Sequence, residues 1–263
     1  MTDRVAIVTG AGRGIGAATV RVLAAQGLAV LAVDIGGDIP GLPYSLATVA
    51  DLDEVVTSTG AGDRVASYVA DVRDPDALRD AVAVAEDQWG GLDIAIGCAG
   101  VIGGGVDQWE LDVDIERLVI EVNLEGILNL SRAAVPALLR RPKPRSGRFV
   151  AVSSAAASRG LAKLTAYSAA KAGVAGLVRA LAGELGPTGV TVNAVSPGST
   201  DTAMLHESAR LYGLPESGEF AQQQPVARLV EPAEVAAVLA FLASPASSAM
   251  TGAIVPVDGG LAL

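Results

Sequence analysis

Val5-Ala6-Ile7-Val8-Thr9-Gly10-Ala11-Gly12-Arg13-Gly14-Ile15-Gly16 is the stretch that decides the fold. The apolar run Val5 to Val8 is short enough for a buried strand. The glycine-rich turn follows at once, with Arg13 and Ile15 set between its glycines, and Ala17 to Ala25 then reads as a helix. Strand, glycine turn and helix is the setting that a dinucleotide site requires. Glycines let the backbone turn tightly and come close to a pyrophosphate. Free N–H groups and the dipole at the helix start then hold its negative charge. No Gly-Lys-Ser/Thr ends the turn, so a Walker-type phosphate loop is excluded.

Working outward, Ala29 to Val33 reads as the second strand, with Asp34 at its end. This acid lies eighteen residues after Gly16, near the ~20 expected of a carboxylate that bonds the adenosine ribose hydroxyls. A carboxylate there repels the 2′-phosphate of NADP, and no arginine follows closely, so Asp34 points to NAD. Beyond it, strand-like runs (Val65 to Ala70, Leu92 to Cys98, Arg148 to Ser153, Val190 to Val195, Ala253 to Val257) alternate with helical patterns. The helices fall at Asp76 to Trp89, Ile115 to Leu139 as one long helix, Thr165 to Leu185, and Glu231 to Leu242. This alternation predicts a single α/β domain over residues 1–263, a doubly wound Rossmann-type fold. Its sheet is mainly parallel, with helices on both faces and right-handed crossovers. Ligands then bind at the carboxyl ends of the strands.

The crossover at residues 36–62 is long. Gly36, Gly37, Pro40, Gly41 and Pro43 make its first half a loop, and Leu46, Val49, Leu52, Val55 and Val56 give helical spacing. The loop leaves the strand end where adenosine should lie. Two readings stand: it folds over the cofactor and slows its escape, or it is a plain surface loop.

Tyr167 and Lys171 stand four residues apart on the predicted Thr165–Leu185 helix, so phenol and ammonium share one face. A nearby cation favours the phenolate, so Lys171 should lower the Tyr167 pKa towards neutrality and fit the phenol for proton transfer with an alcohol. The same helix is apolar almost all round and must be buried on more than one side. Ala172, Gly173 and Gly176 would let another helix approach closely, so a homo-oligomer is expected. Residues 203–224 carry Met204, Leu205, Leu211, Tyr212, Leu214 and Phe220, which read either as a cap with an apolar substrate pocket or as ordinary packed helix.

Composition narrows the rest. A net charge of −10 argues against nucleic acid or an anionic membrane as partner. The one basic run, Arg140 to Arg145, is broken by Pro142 and Pro144 and reads as a loop. A single cysteine excludes an intrachain disulfide, and a single histidine makes a Cys/His metal cluster improbable, so no metal site is expected. The first strand begins by Val5, which leaves no room for a signal peptide, and no apolar stretch is long enough to span a bilayer. A cytoplasmic location is the default.

With Gly10, Gly14, Gly16, Tyr167 and Lys171 in place, the chain resembles the short-chain dehydrogenase/reductase family along essentially its whole length. The resemblance implies that Gly10, Arg13, Gly14, Ile15 and Gly16 form the cofactor turn and that Asp71-Val72 meets the adenine. Cys98-Ala99-Gly100 stands where the family usually carries Asn-Asn-Ala-Gly, with Gly97 and Cys98 in the asparagine places. Pro197, Gly198, Thr200 and Thr202 match the turn that meets the nicotinamide, and Asp258-Gly259-Gly260 the C-terminal signature. It further implies that Asn123 anchors a proton-relay water, Ser154 orients the reacting oxygen, and Tyr167 is the general acid/base. Lys171 would tune Tyr167 and hold the nicotinamide ribose. The expected activity is NAD-dependent interconversion of a small hydrophobic secondary alcohol and a ketone, in a tetramer. Residues 38–62 and 197–214 are similar to the mycofactocin-associated members, which implies retained NAD reoxidised by a mycofactocin-type redox carrier. Three other functions compete. They are an NADPH-dependent 3-oxoacyl thioester reductase, against which Asp34 speaks, a non-catalytic dinucleotide sensor, and a scaffold subunit without ligand.

Overall fold

A computed structural model describes residues 4–263. Seven parallel strands form one sheet in the order β3-β2-β1-β4-β5-β6-β7. They are β1 (Val5–Thr9), β2 (Ala29–Asp34), β3 (Val65–Val69), β4 (Ile94–Gly97), β5 (Arg148–Val152), β6 (Thr191–Pro197) and β7 (Ile254–Val257). The sheet is parallel throughout, and the direction of winding reverses between β1 and β4. That switch opens a crevice at the carboxyl ends of these strands.

The central strands β1, β2, β4 and β5 are near-continuous apolar runs because both faces are covered. Val5, Ile7, Leu31, Val33, Phe149 and Ala151 point to one layer. There they meet Leu78 and Ala81 of α3 (Pro75–Trp89), Leu130 and Ala134 of α5 (Gly126–Arg140), and Val174 and Val178 of α7 (Thr165–Leu185). Ala6, Val8, Val30, Ala32, Val150 and Val152 point the other way. They meet Val20 and Leu23 of α1 (Gly14–Ala25), Leu52 and Val55 of α2 (Val49–Ser58), and Leu239 and Leu242 of α9 (Pro232–Ala243). Each fully buried Leu, Ile or Val side chain contributes roughly 1.5–3 kcal/mol. Two such layers of small aliphatic residues hold the sheet rigid under the crevice.

Helix starts follow local chemistry. Asp74 caps α3 by accepting the Asp76 and Ala77 N–H groups, with Pro75 at the first position. Thr48 and Asp51 form a reciprocal capping box at α2, and at α9 the Glu234 carboxylate accepts the Glu231 N–H at 2.9 Å. The helix α1 begins at Gly14, inside the glycine turn, rather than at Ala17. The long helix expected over Ile115–Leu139 is broken in two. The stretch α4 (Val113–Ile120) passes into one wide π turn, Glu121–Glu125, before α5 resumes at Gly126. The remaining helices are α6 (Ala156–Arg159) and α8 (Ala203–Tyr212). No helix among the described residues is long and apolar enough to cross a membrane.

Candidate active site

A cleft of about 470 Å³ runs along the carboxyl ends of the strands. At one end it is walled by Gly10, Arg13, Gly14, Ile15, Gly16, Asp34, Asp71 and Val72. At the other it is walled by Ser154, Tyr167, Lys171, Pro197, Gly198, Thr200 and Thr202, with Cys98, Ala99 and Gly100 between. Every cofactor-site residue expected from the sequence borders this one space.

The glycine turn is tight against the sheet. Gly10 has φ +68°, and a Cβ there would lie 2.5 Å from the Ala99 nitrogen. A Cβ on Gly16 would overlap the Gly10 carbonyl. Arg13, the N-cap of α1, is extended and caps nothing with its side chain, so the first N–H groups of the helix face the cleft unpaired. That is an anion cradle, and it fits a pyrophosphate. Asp34 is buried at the end of β2 and its Oδ2 accepts the Gly12 N–H at 2.8 Å. The acid therefore braces the turn with one oxygen. The Asp71 carboxylate, expected to meet adenine, lines the cleft and is oriented by the Arg73 guanidinium at 2.5–3.1 Å. Cys98 is half-buried beside Thr19, and desolvation raises its thiol to about 12. Its backbone N–H, bonded to the Thr9 carbonyl at 3.1 Å, ties β4 to β1 without an asparagine side chain.

The catalytic candidates converge at the far end. Helix α7 and the β5 terminus bring Tyr167 and Ser154 within hydrogen-bonding reach. Lys171 Nζ lies 5.7 Å from the Tyr167 ring centre and donates to the Val152 carbonyl at 3.0 Å. The Ser153 hydroxyl donates to the Lys171 carbonyl at 3.0 Å, which locks α7 to β5. Asn123 sits in the π turn, fully buried, and its Nδ2 donates to the Val101 and Val119 carbonyls, both at 2.8 Å. Its Oδ1 is buried without a hydrogen-bond partner. A methyl group placed on Gly100 would lie 2.8 Å from that oxygen and 3.6 Å from Lys171 Nζ. The orphan acceptor and the ammonium thus flank one point, which suits a bound water.

One expectation is corrected. Lys171 does not bring Tyr167 towards neutrality. Burial pushes the Tyr167 phenol up, and the Ser154 hydroxyl opposes this only in part. Burial also lowers Lys171 from its ordinary value near 10.5 to about 8. Removing both groups from water outweighs their mutual attraction at this separation.

The loop after β2 was ambiguous in sequence, and its path is plain in the structure. Ile35, Ile39, Leu46 and Ala47 line the cleft. A Cβ on Gly12 would lie 2.6 Å from the Ala47 methyl. Arg13 donates to the Ser45 carbonyl at 2.7 Å, and its guanidinium stands 5.9 Å from the centre of the Tyr44 ring. Tyr44 Oη in turn accepts the Ile102 N–H at 2.9 Å. The segment is a strap from the glycine turn to the loop after β4. Tyr44 escaped notice because it lies in an aperiodic loop beside Pro43. The segment 203–224 is α8 followed by a 3-10 stretch (Ser217–Gln223), and Met204, Leu205, Tyr212, Leu214 and Phe220 face the cleft beside Tyr167. Leu211 packs behind them.

A doubly wound sheet with a glycine cradle at one end of its crevice and a Ser-Tyr-Lys cluster at the other is the architecture of a dinucleotide-dependent oxidoreductase. A family model described as enoyl-(acyl carrier protein) reductase matches residues 10–262. The cis-4-hydroxycyclohexanecarboxylate dehydrogenase of Sinomonas cyclohexanicum is 40% identical over 260 residues, 98% of this chain and 96% of the relative. Among solved structures, carveol dehydrogenase from Mycobacterium avium in complex with NAD superposes with a TM-score of 0.92 at 33% identity, covering 98% of this chain and 97% of that one. An actinorhodin polyketide ketoreductase with NADPH reaches 0.89 at 31% identity, covering 99% and 97%. The chain belongs to the short-chain dehydrogenase/reductase family of oxidoreductases.

Proposed function

We propose that the protein interconverts a small hydrophobic secondary alcohol and its ketone with NAD. The observation that carries this reading is the convergence of Ser154, Tyr167 and Lys171 in the same cleft as Asp34. The turn from Gly10 to Gly16 would hold the pyrophosphate, Asp34 the adenosine ribose, and Pro197, Gly198, Thr200 and Thr202 the nicotinamide end. The Asp34 carboxylate offers nothing to a 2′-phosphate, which favours NAD over NADP. Bound NAD supplies a two-electron hydride acceptor and, in its oxidised form, a positive charge.

The chain's own residues do the rest. Ser154 bonds the substrate oxygen and fixes its direction. Burial keeps Tyr167 as a neutral phenol, poised to give its proton to a ketone oxygen. In the oxidising direction Tyr167 must first release that proton, and a water held between Lys171 Nζ and the free Asn123 Oδ1 would pass it on towards solvent. The apolar walls from α8 and Phe220 exclude water and favour an uncharged substrate. The strap favours a second element of the reading, that NAD stays bound between turnovers; the resemblance of residues 38–62 and 197–214 to mycofactocin-associated members adds a mycofactocin-type redox carrier that would remove the electrons.

The test is Tyr167→Phe in purified enzyme. Turnover falls about 10²–10⁴-fold, the usual worth of a general acid/base, while NAD binding stays within about twofold. Retained turnover refutes the mechanism. Assays with added NAD, with NADP and with an artificial electron acceptor then separate free cofactor exchange from retention.

A further inference from the structure

The segment 203–224 leaves the Pro197–Thr202 turn at one end and returns to it at the other. The return is made by Gln224, which is 2% exposed. Its Oε1 accepts the Ser199 N–H at 2.9 Å, and its Nε2 donates to the Arg228 carbonyl at 2.5 Å and the Ser199 carbonyl at 3.4 Å. A donor on one side and carbonyls on the other admit one orientation of the amide. The side chain thus acts as an extra peptide unit laid along Ser199. Backbone bonds continue the pairing, with Val230 N–H to the Ser199 carbonyl and Asp201 N–H to the Val230 carbonyl, both at 2.9 Å.

The amide also sets the shape of the turn. A Cβ on Gly198 would collide with Gln224 Oε1 and lie 2.7 Å from the Asp258 Cα. A Cβ on Gly259 would lie 3.4 Å from the Gln224 Cβ. One buried amide therefore joins the end of the cap to the turn at Ser199 and to Arg228, and the C-terminal turn at Gly259 packs against the same side chain.

We propose that Gln224 is a positioning residue that fixes the base of the cap to the Gly198 turn, so that one contact sets both the cap and the nicotinamide end of the cofactor site. This rests on the NAD reading above. Losing the amide leaves the buried Ser199 N–H without an acceptor, and the turn relaxes away from its place. The adenosine end of the cleft, at Asp34 and the glycine turn, touches none of these groups.

The experiment compares two ligands, NAD and ADP-ribose, which lacks the nicotinamide. Gln224→Met keeps the volume and removes every hydrogen bond. Gln224→Glu keeps the acceptor for Ser199 and sets a carboxylate against two carbonyls. Calorimetry on folded Gln224→Met, checked by thermal melting, should show NAD binding about tenfold weaker, about 1.4 kcal/mol, with ADP-ribose unchanged within about twofold. The KM for alcohol rises and kcat falls. If Gln224→Met does not fold, Gln224→Glu carries the same test. A ratio of NAD to ADP-ribose affinity equal to that of the wild type overturns the proposal, because a merely structural latch moves both ligands together or neither. Wild-type protein that binds neither ligand refutes the NAD reading and this proposal with it.

Discussion

Tyr44→Phe is the substitution that isolates the strap. It deletes one oxygen, the acceptor of the Ile102 N–H at 2.9 Å, and leaves the ring beside Arg13 in place. Burial raises Tyr44 to about 12, so the phenol is neutral at any working pH and the bond is an ordinary neutral one. Ile102 is 3% exposed, and its N–H has no water to turn to while the strap is closed. An unsatisfied buried donor costs about 1–3 kcal/mol. Taking about 1–2 kcal/mol, the population of the opened strap rises about 5–30-fold. If the cofactor leaves only through the opened strap, its release rate rises by the same factor. Tyr44→Leu also removes the ring–guanidinium contact, worth about 0.5–1 kcal/mol at an exposed site, and adds roughly another two- to fivefold. Stopped-flow fluorescence of NADH chased by excess ADP-ribose measures the rate directly. Wild-type release rates in both variants, with melting temperatures unmoved, would show that the segment guards nothing.

Two further outcomes follow from the structure. In nucleotide-free protein, Lys171 has a folded pKa near 8 and an unfolded one near 10.5. The unfolded chain therefore binds more protons between these values, and stability rises with pH across that window. Thermal melts of wild type against Lys171→Met should show the wild type gaining about 2 kcal/mol from pH 8 towards pH 10; a constant gap refutes the assignment. Above pH 10 the raised Tyr167 acts in the opposite sense, so the comparison stops there. On α7, Ala169, Ala172, Gly176 and Ala180 form an exposed stripe of small residues. We expect a tetramer by light scattering and its dissociation in Ala172→Arg; a monomeric wild type removes the idea.

The sequence made the frame legible because the frame is written in short-range terms. Buried parallel strands must be continuous apolar runs, and Val5–Val8 and Ala29–Val33 could be nothing else. Tyr167 and Lys171 were legible because helical spacing alone puts them on one face. Contacts that depend on the third dimension were not. The π turn at Glu121–Glu125 leaves no periodic trace, so α4 and α5 read as one helix. Gly173 was assigned to an intersubunit face, yet a Cβ there would run into Leu124 of the same chain. Arg73 lies two residues from Asp71, but nothing in that spacing reveals that it takes up the carboxylate. The direction of the Tyr167 shift was misjudged for the same reason: charge proximity is visible in sequence, and desolvation is not.

The cleft carries two covers with separate attachments. The strap is fastened at Arg13 and Ile102, while the cap is tied down at Thr202 and Gln224. The two meet over one apolar cluster, which Tyr44 of the strap shares with Met204, Leu211 and Tyr212 of the cap. On the reading proposed above, a molecule wedged beneath α8 would therefore slow the opening of the strap, and with it the departure of the dinucleotide, as well as blocking its own side of the cleft.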